Sequence, residues 1–264
     1  MRTIIEGVEI HYEIHGQGPP LLLIHGLGSS TRDWEFQRDH FAARFQVIAF
    51  DVRGHGRSGK PPGPYSIRQF AADTAGLLRQ LGTAPAHVVG LSMGGMIAFQ
   101  LALDAPDLVR TLTIVNSAPE VVVRSWRQRL QLLQRRFILR WLGMRAMGRL
   151  LARRLLPAPE HATLRQTFED RWAENDARAY RDAFSVLIGW SVSDRVHEIR
   201  CPTLVLASEF DYTSVSDKRA WVARMPNASL VVLPDSRHAV PVERPQLFNA
   251  ALDRLLAAQN APLQ

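Results

Sequence analysis

Short apolar runs recur along the first 118 residues, and longer segments of helical periodicity separate them. Residues 4–14 predict a strand that turns at Gly7 and returns as an antiparallel hairpin. The runs that follow are continuous rather than alternating, which is typical of strands buried on both faces by helices. These runs are residues 21–24, 47–50, 87–89 and 112–115.

Apolar residues spaced three to four positions apart predict helices over residues 67–81 and 93–103, each followed by a Gly or Pro. The alternation resumes near the C-terminus. There we predict strands at 203–207 and 230–233, and helices near 216–224 and at 245–258. Strands that alternate with helices indicate the α/β class, with a mostly parallel central sheet flanked by helices.

Residues 119–194 break this rhythm, since they contain no strand-like run. An amphipathic helix is predicted first, followed after Gly143 by a second one that ends before Pro157. We interpret residues 119–194 as a helical insertion between two parts of one domain, residues 1–118 and 195–264. The first helix carries Trp126, Leu130, Leu133, Phe137 and Trp141, and the second Met144, Met147, Leu151 and Leu155.

The composition narrows the class of protein. Cys201 is the only cysteine of the 264 residues, which excludes an intrachain disulfide framework and favours a reducing, cytoplasmic location. The N-terminus has acidic residues where a signal peptide would need an apolar stretch. The apolar runs have the length of strands, far short of the roughly 20 residues of a membrane span, so we expect no membrane-spanning segment.

The net charge of +7 is concentrated in the insertion. Residues 119–199 hold 15 Arg and 9 acidic residues, while the rest of the chain holds 17 basic and 16 acidic residues. A general basic excess suggests nucleic acid or an anionic surface as partner. Because the excess is local and no nucleic-acid-reading motif accompanies it, we expect no nucleic-acid partner.

Candidate chemistry begins at Gly90-Leu91-Ser92-Met93-Gly94, between the predicted strand 87–89 and the predicted helix 93–103. In this strand–turn–helix context, G-x-S-x-G is typical of a nucleophile elbow. The reversal strains the central residue and brings backbone close at both flanking positions, where side chains would collide. We therefore predict Ser92 as a nucleophile, raised above the sheet at a helix N-terminus that favours negative charge.

A serine nucleophile needs a base, and the base needs an orienting carboxylate. Asp211 follows the predicted strand 203–207, and His238 follows the predicted strand 230–233. Their order after Ser92 is that of hydrolases with this elbow. Both lie at the carboxyl ends of predicted parallel strands, the edge at which open α/β sheets bind ligands.

These residues and three further motifs resemble the α/β-hydrolase superfamily over essentially the whole chain, and most of all its carboxylesterases and 3-oxoadipate enol-lactonases. The resemblance implies that Ser92 is the nucleophile, Asp211 the acid and His238 the base. It also implies an oxyanion hole formed by the backbone N–H groups of Leu27 and Met93. The matching motifs are Leu23-Ile24-His25-Gly26-Leu27-Gly28, Asp51-Val52-Arg53-Gly54-His55-Gly56-Arg57-Ser58, Gly90-Leu91-Ser92-Met93-Gly94-Gly95, and Asp235-Ser236-Arg237-His238 with Glu243-Arg244-Pro245.

The chain departs from the family pattern at two positions. Ser208 occupies the usual glycine three residues before the acid, and Arg237 the usual glycine before the histidine. Both changes bear on loop geometry rather than on the assigned roles. Glu209 is the nearest rival acid and Glu120 a more distant one. The rival histidines, His25 and His55, lie in motifs where the family uses such residues to shape loops.

Serine as nucleophile sets the chain apart from the haloalkane dehalogenases and epoxide hydrolases of this fold, which use Asp. Acyl transfer to water then favours a carboxylesterase, with no cofactor or metal required, acting on a small-molecule ester or lactone. The main alternatives are an enol-lactonase and a ligand-binding receptor with little turnover. A C–C bond hydrolase and a peptidase that use the same triad are minor alternatives. The oligomeric state is left open.

The insertion is expected to cover the catalytic edge as a cap. Of the aromatic side chains on or near it, we single out Trp34, Trp126, Trp141 and Trp190 as candidates to contact substrate, although an aromatic stripe on a helix is more often packing. A cap arginine could bind a substrate carboxylate. Most of the cap arginines are best interpreted as a solvated face, and contact with an anionic membrane is the less favoured alternative.

Overall fold

One sheet of eight strands forms the centre of the computed structural model, which describes residues 1–260. Its order across the sheet is β1-β2-β4-β3-β5-β6-β7-β8. The strands are β1 (Arg2–Ile5), β2 (Val8–His15), β3 (Pro20–Ile24), β4 (Gln46–Phe50), β5 (Ala86–Leu91), β6 (Val109–Val115), β7 (Thr203–Ser208) and β8 (Ala228–Leu233).

Strands β1 and β2 form the predicted antiparallel hairpin, and β2 also pairs antiparallel with β4. The turn between β1 and β2 holds Glu6 at φ 47° and Gly7 at φ 73°, a left-handed conformation that favours glycine. The other pairings, from β4 through β3 to β8, are all parallel. The predicted α/β class with a mostly parallel sheet is therefore confirmed.

Helices cover both faces of the sheet and bury an apolar core on each. Phe41 and Phe248 belong to one core, and Phe70, Phe99 and Trp221 to the other. The first two lie on α1 and α10, and the other three on α2, α3 and α8. These helices are α1 (Glu35–Phe41), α2 (Ile67–Leu81), α3 (Met93–Asp104), α8 (Val215–Val222) and α10 (Pro245–Asn260), with the one-turn α9 (Val240–Glu243) between β8 and α10.

Four α-helices occupy the described chain between β6 and β7. Their own apolar cluster includes Met147, Trp172 and Tyr180. A single bridge between Glu120 and Ser191 closes the base of the segment. The helices are α4 (Trp126–Trp141), α5 (Gly143–Leu155), α6 (Ala162–Ala173) and α7 (Ala177–Ser185).

Polar contacts hold this segment against the loop that follows β3. The Arg171 guanidinium lies 3.0 Å from an Asp33 carboxylate oxygen, and the Asn175 side chain donates to the Gly28 carbonyl at 2.9 Å. The helices therefore contact the loop in which the family motif places one of the oxyanion-hole groups. Among residues 1–260, no helix is long and apolar enough to cross a membrane.

Candidate active site

Ser92 lies between the end of β5 at Leu91 and the start of α3 at Met93, in the strand–turn–helix context that the sequence predicts. Its backbone has φ 55° and ψ −116°, a conformation that a residue with a side chain rarely adopts. The N–H of Ser92 donates to the Val115 carbonyl at 3.0 Å, and its carbonyl accepts from Gly95 at 2.9 Å. The predicted strain is confirmed, and the surrounding backbone hydrogen bonds maintain it.

The flanking glycines allow this tight reversal. A Cβ on Gly90 would collide with the backbone of Gly94, and a Cβ on Gly94 would collide with the carbonyl of Ile24. Gly26 lies so close that a Cβ there would be 3.4 Å from the Ser92 Cβ. The loop after β3 therefore passes directly beside the serine, which brings Leu27 to the same site.

His238 and Asp211 meet in the loops that follow β8 and β7. The Nδ1 atom of His238 lies 2.6 Å from Asp211 Oδ1. The Asp211 side chain is 1% exposed and that of His238 is 16% exposed, so the carboxylate is buried while the imidazole reaches the surface of a cavity. With Nδ1 held by the carboxylate, Nε2 is the nitrogen available for exchange of a proton with another group.

A buried lysine holds the other oxygen of the same carboxylate. Lys218 is fully buried on α8, and its Nζ donates to Asp211 Oδ2 at 2.6 Å and to the Thr213 carbonyl at 2.9 Å. The Thr213 hydroxyl also donates to Asp211 Oδ2, at 3.0 Å. Asp211 is thus fixed from both sides, by His238 on one oxygen and by Lys218 and Thr213 on the other.

Burial alone would raise the pKa of Asp211, but the charges and hydrogen bonds of His238 and Lys218 outweigh it and hold the pKa well below its usual range. The carboxylate therefore stays ionised and can stabilise an imidazolium beside it. Lys218 was not predicted from the sequence as part of the site. Its signal was the spacing that places it on one helical face with Trp221 and Val222, both buried.

Neighbouring contacts accommodate both departures from the family pattern. The Ser208 hydroxyl accepts from Asn116 Nδ2 at 2.8 Å, and the same amide donates to the His238 carbonyl at 3.0 Å. The backbone N–H of Arg237 donates to Glu243 Oε2 at 2.6 Å. Asn116 therefore links the loops that carry the acid and the histidine.

The rival acids have other partners. Glu209 Oε2 accepts from the Asp235 backbone N–H at 2.9 Å, and Glu120 forms an ion pair with Arg124. Of the candidate acids, Asp211 is the one that contacts His238.

The rival histidines hold loops together. His25 Nε2 accepts from the Val52 N–H at 2.9 Å, and its Nδ1 donates to the Gly26 carbonyl at 2.7 Å. Burial and the adjacent His25 lower the pKa of His55 to about 3, so its ring is neutral. His55 Nδ1 donates to the Arg53 carbonyl at 3.1 Å, within its own loop. These contacts agree with the interpretation of both residues as loop-shaping groups.

Ser92 and His238 line two adjoining cavities. The apolar cavity, of about 170 Å³, lies beneath helices α4, α5 and α6, and the larger cavity, of about 630 Å³, also contacts Asp211 and Met93. Leu27 lines the apolar cavity, while Met93, at the first position of α3, has an N–H group without an intrahelical acceptor. Most of the remaining wall of the apolar cavity is apolar, and its polar side chains are Ser29, Asp33 and Arg135. The apolar part is formed by Leu91, Leu151, Leu155, Phe168, Trp172, Leu187, Tyr212, Ala239 and Val242.

The four tryptophans predicted to contact substrate lie elsewhere. Trp34 is buried against Phe248, and the Trp190 indole donates to Gln100 Oε1 at 3.1 Å. Trp126 and Trp141 are 70% and 68% exposed. None of the four lines either cavity at Ser92. The apolar cavity is lined instead by aromatic side chains that include Phe168 and Trp172, which lie on α6, a helix whose bounds were not predicted from the sequence.

Within residues 1–260, no group of three or more His, Cys, Asp and Glu side chains is arranged to hold a metal ion.

Residues 21–251 match the model of the alpha/beta hydrolase family. A protein of Azorhizobium caulinodans named as carbamate hydrolase RutD is 34% identical over 92% of this chain and 93% of its own. The crystal structure of the enol-lactonase from Burkholderia xenovorans superposes with a TM-score of 0.89, at 26% identity, over 97% of this chain and all of that one. A thermophilic esterase from Thermogutta terrifontis gives a TM-score of 0.85, also at 26% identity, over 98% and 97% of the two chains.

Proposed function

The chain belongs to the alpha/beta hydrolase family, and we propose that it is a serine hydrolase that cleaves carboxylic esters through an acyl-enzyme on Ser92. One observation carries the proposal above all others. Ser92, strained at the turn between β5 and α3, shares a cavity with His238, whose imidazole is held by the buried Asp211. Nucleophile, base and orienting carboxylate are the three parts that acyl transfer by serine requires.

In the proposed first step, the Ser92 hydroxyl attacks the ester carbonyl carbon while His238 Nε2 takes its proton. Negative charge develops on the carbonyl oxygen, and the N–H groups of Leu27 and Met93 would donate to it. The imidazolium then gives its proton to the leaving alcohol as the bond between acyl carbon and oxygen breaks. Asp211 remains ionised throughout, because its role is to orient and stabilise the charged imidazole.

In the proposed second step, water replaces the alcohol. His238 takes a proton from the water, which attacks the acyl-enzyme, and the Ser92 oxygen leaves with that proton as the carboxylic acid is released. We propose that residues 119–194 act as the cap of this site, on a catalytic domain formed by residues 1–118 and 195–264. Side chains from α4, α5 and α6 line the cavity, which supports that division.

We propose that the acyl group of the substrate occupies the apolar cavity and the alcohol part the larger cavity of about 630 Å³. The apolar cavity predicts a short acyl group, because its volume of about 170 Å³ lies below the roughly 300–1,000 Å³ of pockets that hold drug-sized ligands. We expect steady-state hydrolysis of p-nitrophenyl acetate and butyrate, with kcat/KM for the octanoate lower by at least about tenfold. A p-nitrophenyl carbamate in the same panel tests the chemistry named for the relative from Azorhizobium caulinodans.

A single slow acylation without turnover of any substrate would contradict the enzymatic proposal and favour a receptor. Higher kcat/KM for the octanoate than for the acetate would contradict the size argument.

A second candidate, a lactonase for substrates that carry a carboxylate, is favoured by Arg135. This side chain of α4 reaches the cavity, and its buried Nε has no hydrogen-bond partner among the described residues. The other end of the guanidinium donates to the Tyr180 hydroxyl and lies over Phe184, 4.3 Å from the ring centroid. The other charged side chain of this wall, Asp33, is ion-paired with Arg171. The unsatisfied guanidinium donor of Arg135 therefore suits an anionic group on the substrate.

We expect Arg135→Gln to lower kcat/KM for an enol-lactone with a free carboxylate by roughly 10- to 100-fold, because a charge-assisted hydrogen bond is lost. The neutral p-nitrophenyl acetate should change by less than about threefold, since it makes no such bond. Arg136→Gln, an exposed neighbour, is the matched control. Equal losses on both substrates in the Arg135 variant would show a structural role and remove this candidate.

A further inference from the structure

Helix α4 has apolar side chains on two faces, and only one of them is packed. Leu132, Ile138 and Leu139 face inward and contact the apolar cluster of the insertion. A second set faces solvent at spacings of three and four residues, so that it forms a continuous line along the helix. We call this set the apolar stripe; it consists of Trp126, Leu130, Leu133, Phe137 and Trp141.

The stripe is unusually exposed for side chains of this kind. Its five members are between 58% and 70% exposed. Among the described residues, eight of the thirteen large hydrophobic side chains that are exposed lie between positions 122 and 150. Exposed apolar residues scattered singly are ordinary, but a contiguous patch marks an interaction surface.

Basic residues border the stripe without acidic neighbours in the sequence. Residues 121–155 contain ten Arg and no Asp or Glu. Arg127 and Arg140 lie over the rings of Trp126 and Trp141, 5.6 and 5.2 Å from their centroids, at the two ends of the helix. Within residues 1–260, neither of them forms an ion pair, and the same is true of Arg129 and Arg136.

We propose that the apolar stripe and its arginines form a docking surface for an anionic lipid bilayer. Helix α4 has 16 residues and is therefore about 24 Å long. With the apolar stripe facing the bilayer, it would lie in the plane of the lipid headgroups. Tryptophan side chains at both ends suit the membrane–water interface. The arginines supply the attraction to anionic headgroups.

A second copy of the chain fits this surface less well. A symmetric contact through the stripe would bring two sets of arginines together without acidic partners on α4. An anionic bilayer satisfies both the apolar line and the charge. Docking would also bring the catalytic cavity close to the lipid, because Arg135 of the same helix lines it.

Vesicle sedimentation tests the proposal directly. The full chain should bind vesicles of equal parts phosphatidylglycerol and phosphatidylcholine, should bind pure phosphatidylcholine vesicles weakly, and should be released by high salt. The triple variant L130S/L133S/F137S should bind the anionic vesicles at least about tenfold more weakly. The variant I4S/F36S removes exposed apolar side chains elsewhere and should bind as the wild type does.

The charge is tested separately. R127Q/R129Q/R136Q should weaken binding by roughly a hundredfold, at about fivefold for each arginine near the surface. R79Q/R110Q/R254Q removes the same charge from exposed positions outside the insertion and should have a much smaller effect. Circular dichroism establishes that each variant is folded.

Three results would overturn the proposal. The first is equal binding to neutral and anionic vesicles, and the second is equal binding by the stripe variant and the wild type. The third is a wild-type dimer that the stripe substitutions dissociate, together with no vesicle binding.

Discussion

Replacing Ser92 with alanine should lower kcat/KM for p-nitrophenyl acetate by roughly 10⁴-fold or more, because the acyl-enzyme can no longer form. The change removes one oxygen atom. Alanine keeps the Cβ that the φ of 55° already accommodates, so the strained turn between β5 and α3 is unchanged. Any residual rate would come from substrate binding and the proposed oxyanion hole.

Two measurements accompany this experiment. Mass spectrometry of the wild type during turnover should detect the acyl group on the peptide that contains Ser92, and the variant should show none. Ser229→Ala changes an exposed serine on β8 and should leave the rate within about twofold. Esterase activity retained by the Ser92 variant would show that Ser92 is not the nucleophile, even though the chain has the fold of the family.

The sequence predicts the sheet well because its parallel strands are continuous apolar runs bounded by helices. Helix α2 begins and ends at the predicted residues, and α3 extends one residue further than predicted. Helix α1 was not predicted. It has seven residues, of which only Gln37 and Phe41 are buried, too few for a helical period to appear.

The candidate site was predictable as far as its chemistry is tied to motifs. Ser92, Asp211 and His238 each follow a recognisable strand, and the structure brings Asp211 and His238 into contact. Lys218 lies seven residues beyond Asp211 on a separate helix, and no short motif links them. A buried charge partner of this kind depends on tertiary packing, which sequence periodicity suggests only indirectly.

The orientation of α4 could not be derived from its periodicity. From the sequence, the aromatic residues of α4 are interpreted as core or as pocket lining, because an apolar stripe normally faces the protein. Here Leu132 and Leu139 supply the inward face, and Trp126 and Trp141 are left outside. A helix with two apolar faces has no unique inward side in the sequence alone, so the tryptophans could not be assigned to the cavity or to the surface.

The second large effect is expected at the orienting carboxylate. Asp211→Asn should lower kcat by roughly 10⁴-fold, because an amide cannot stabilise the imidazolium and can hold His238 in the wrong tautomer. Glu209→Gln should stay within about threefold of the wild type, since that carboxylate contacts the Asp235 backbone instead. Steady-state kinetics of both variants on p-nitrophenyl acetate therefore test which acid acts.

Lys218 makes a second variant necessary, because Asp211→Asn alone leaves a fully buried ammonium without its carboxylate. Removal of one partner of a buried ion pair lowers the free energy of unfolding by about 3–5 kcal/mol. A loss of activity could then come from unfolding rather than from a loss of catalysis. D211N/K218M removes both charges, so it should melt at a higher temperature than D211N and should be as inactive as D211N.

Recovery of activity in the double variant would show that the ion pair between Asp211 and Lys218 serves only the stability of the fold. A loss in Glu209→Gln as large as that in Asp211→Asn would remove Asp211 as the unique orienting acid. Full inactivity of the folded double variant, with Glu209→Gln active, is the outcome that the contact between Asp211 and His238 predicts.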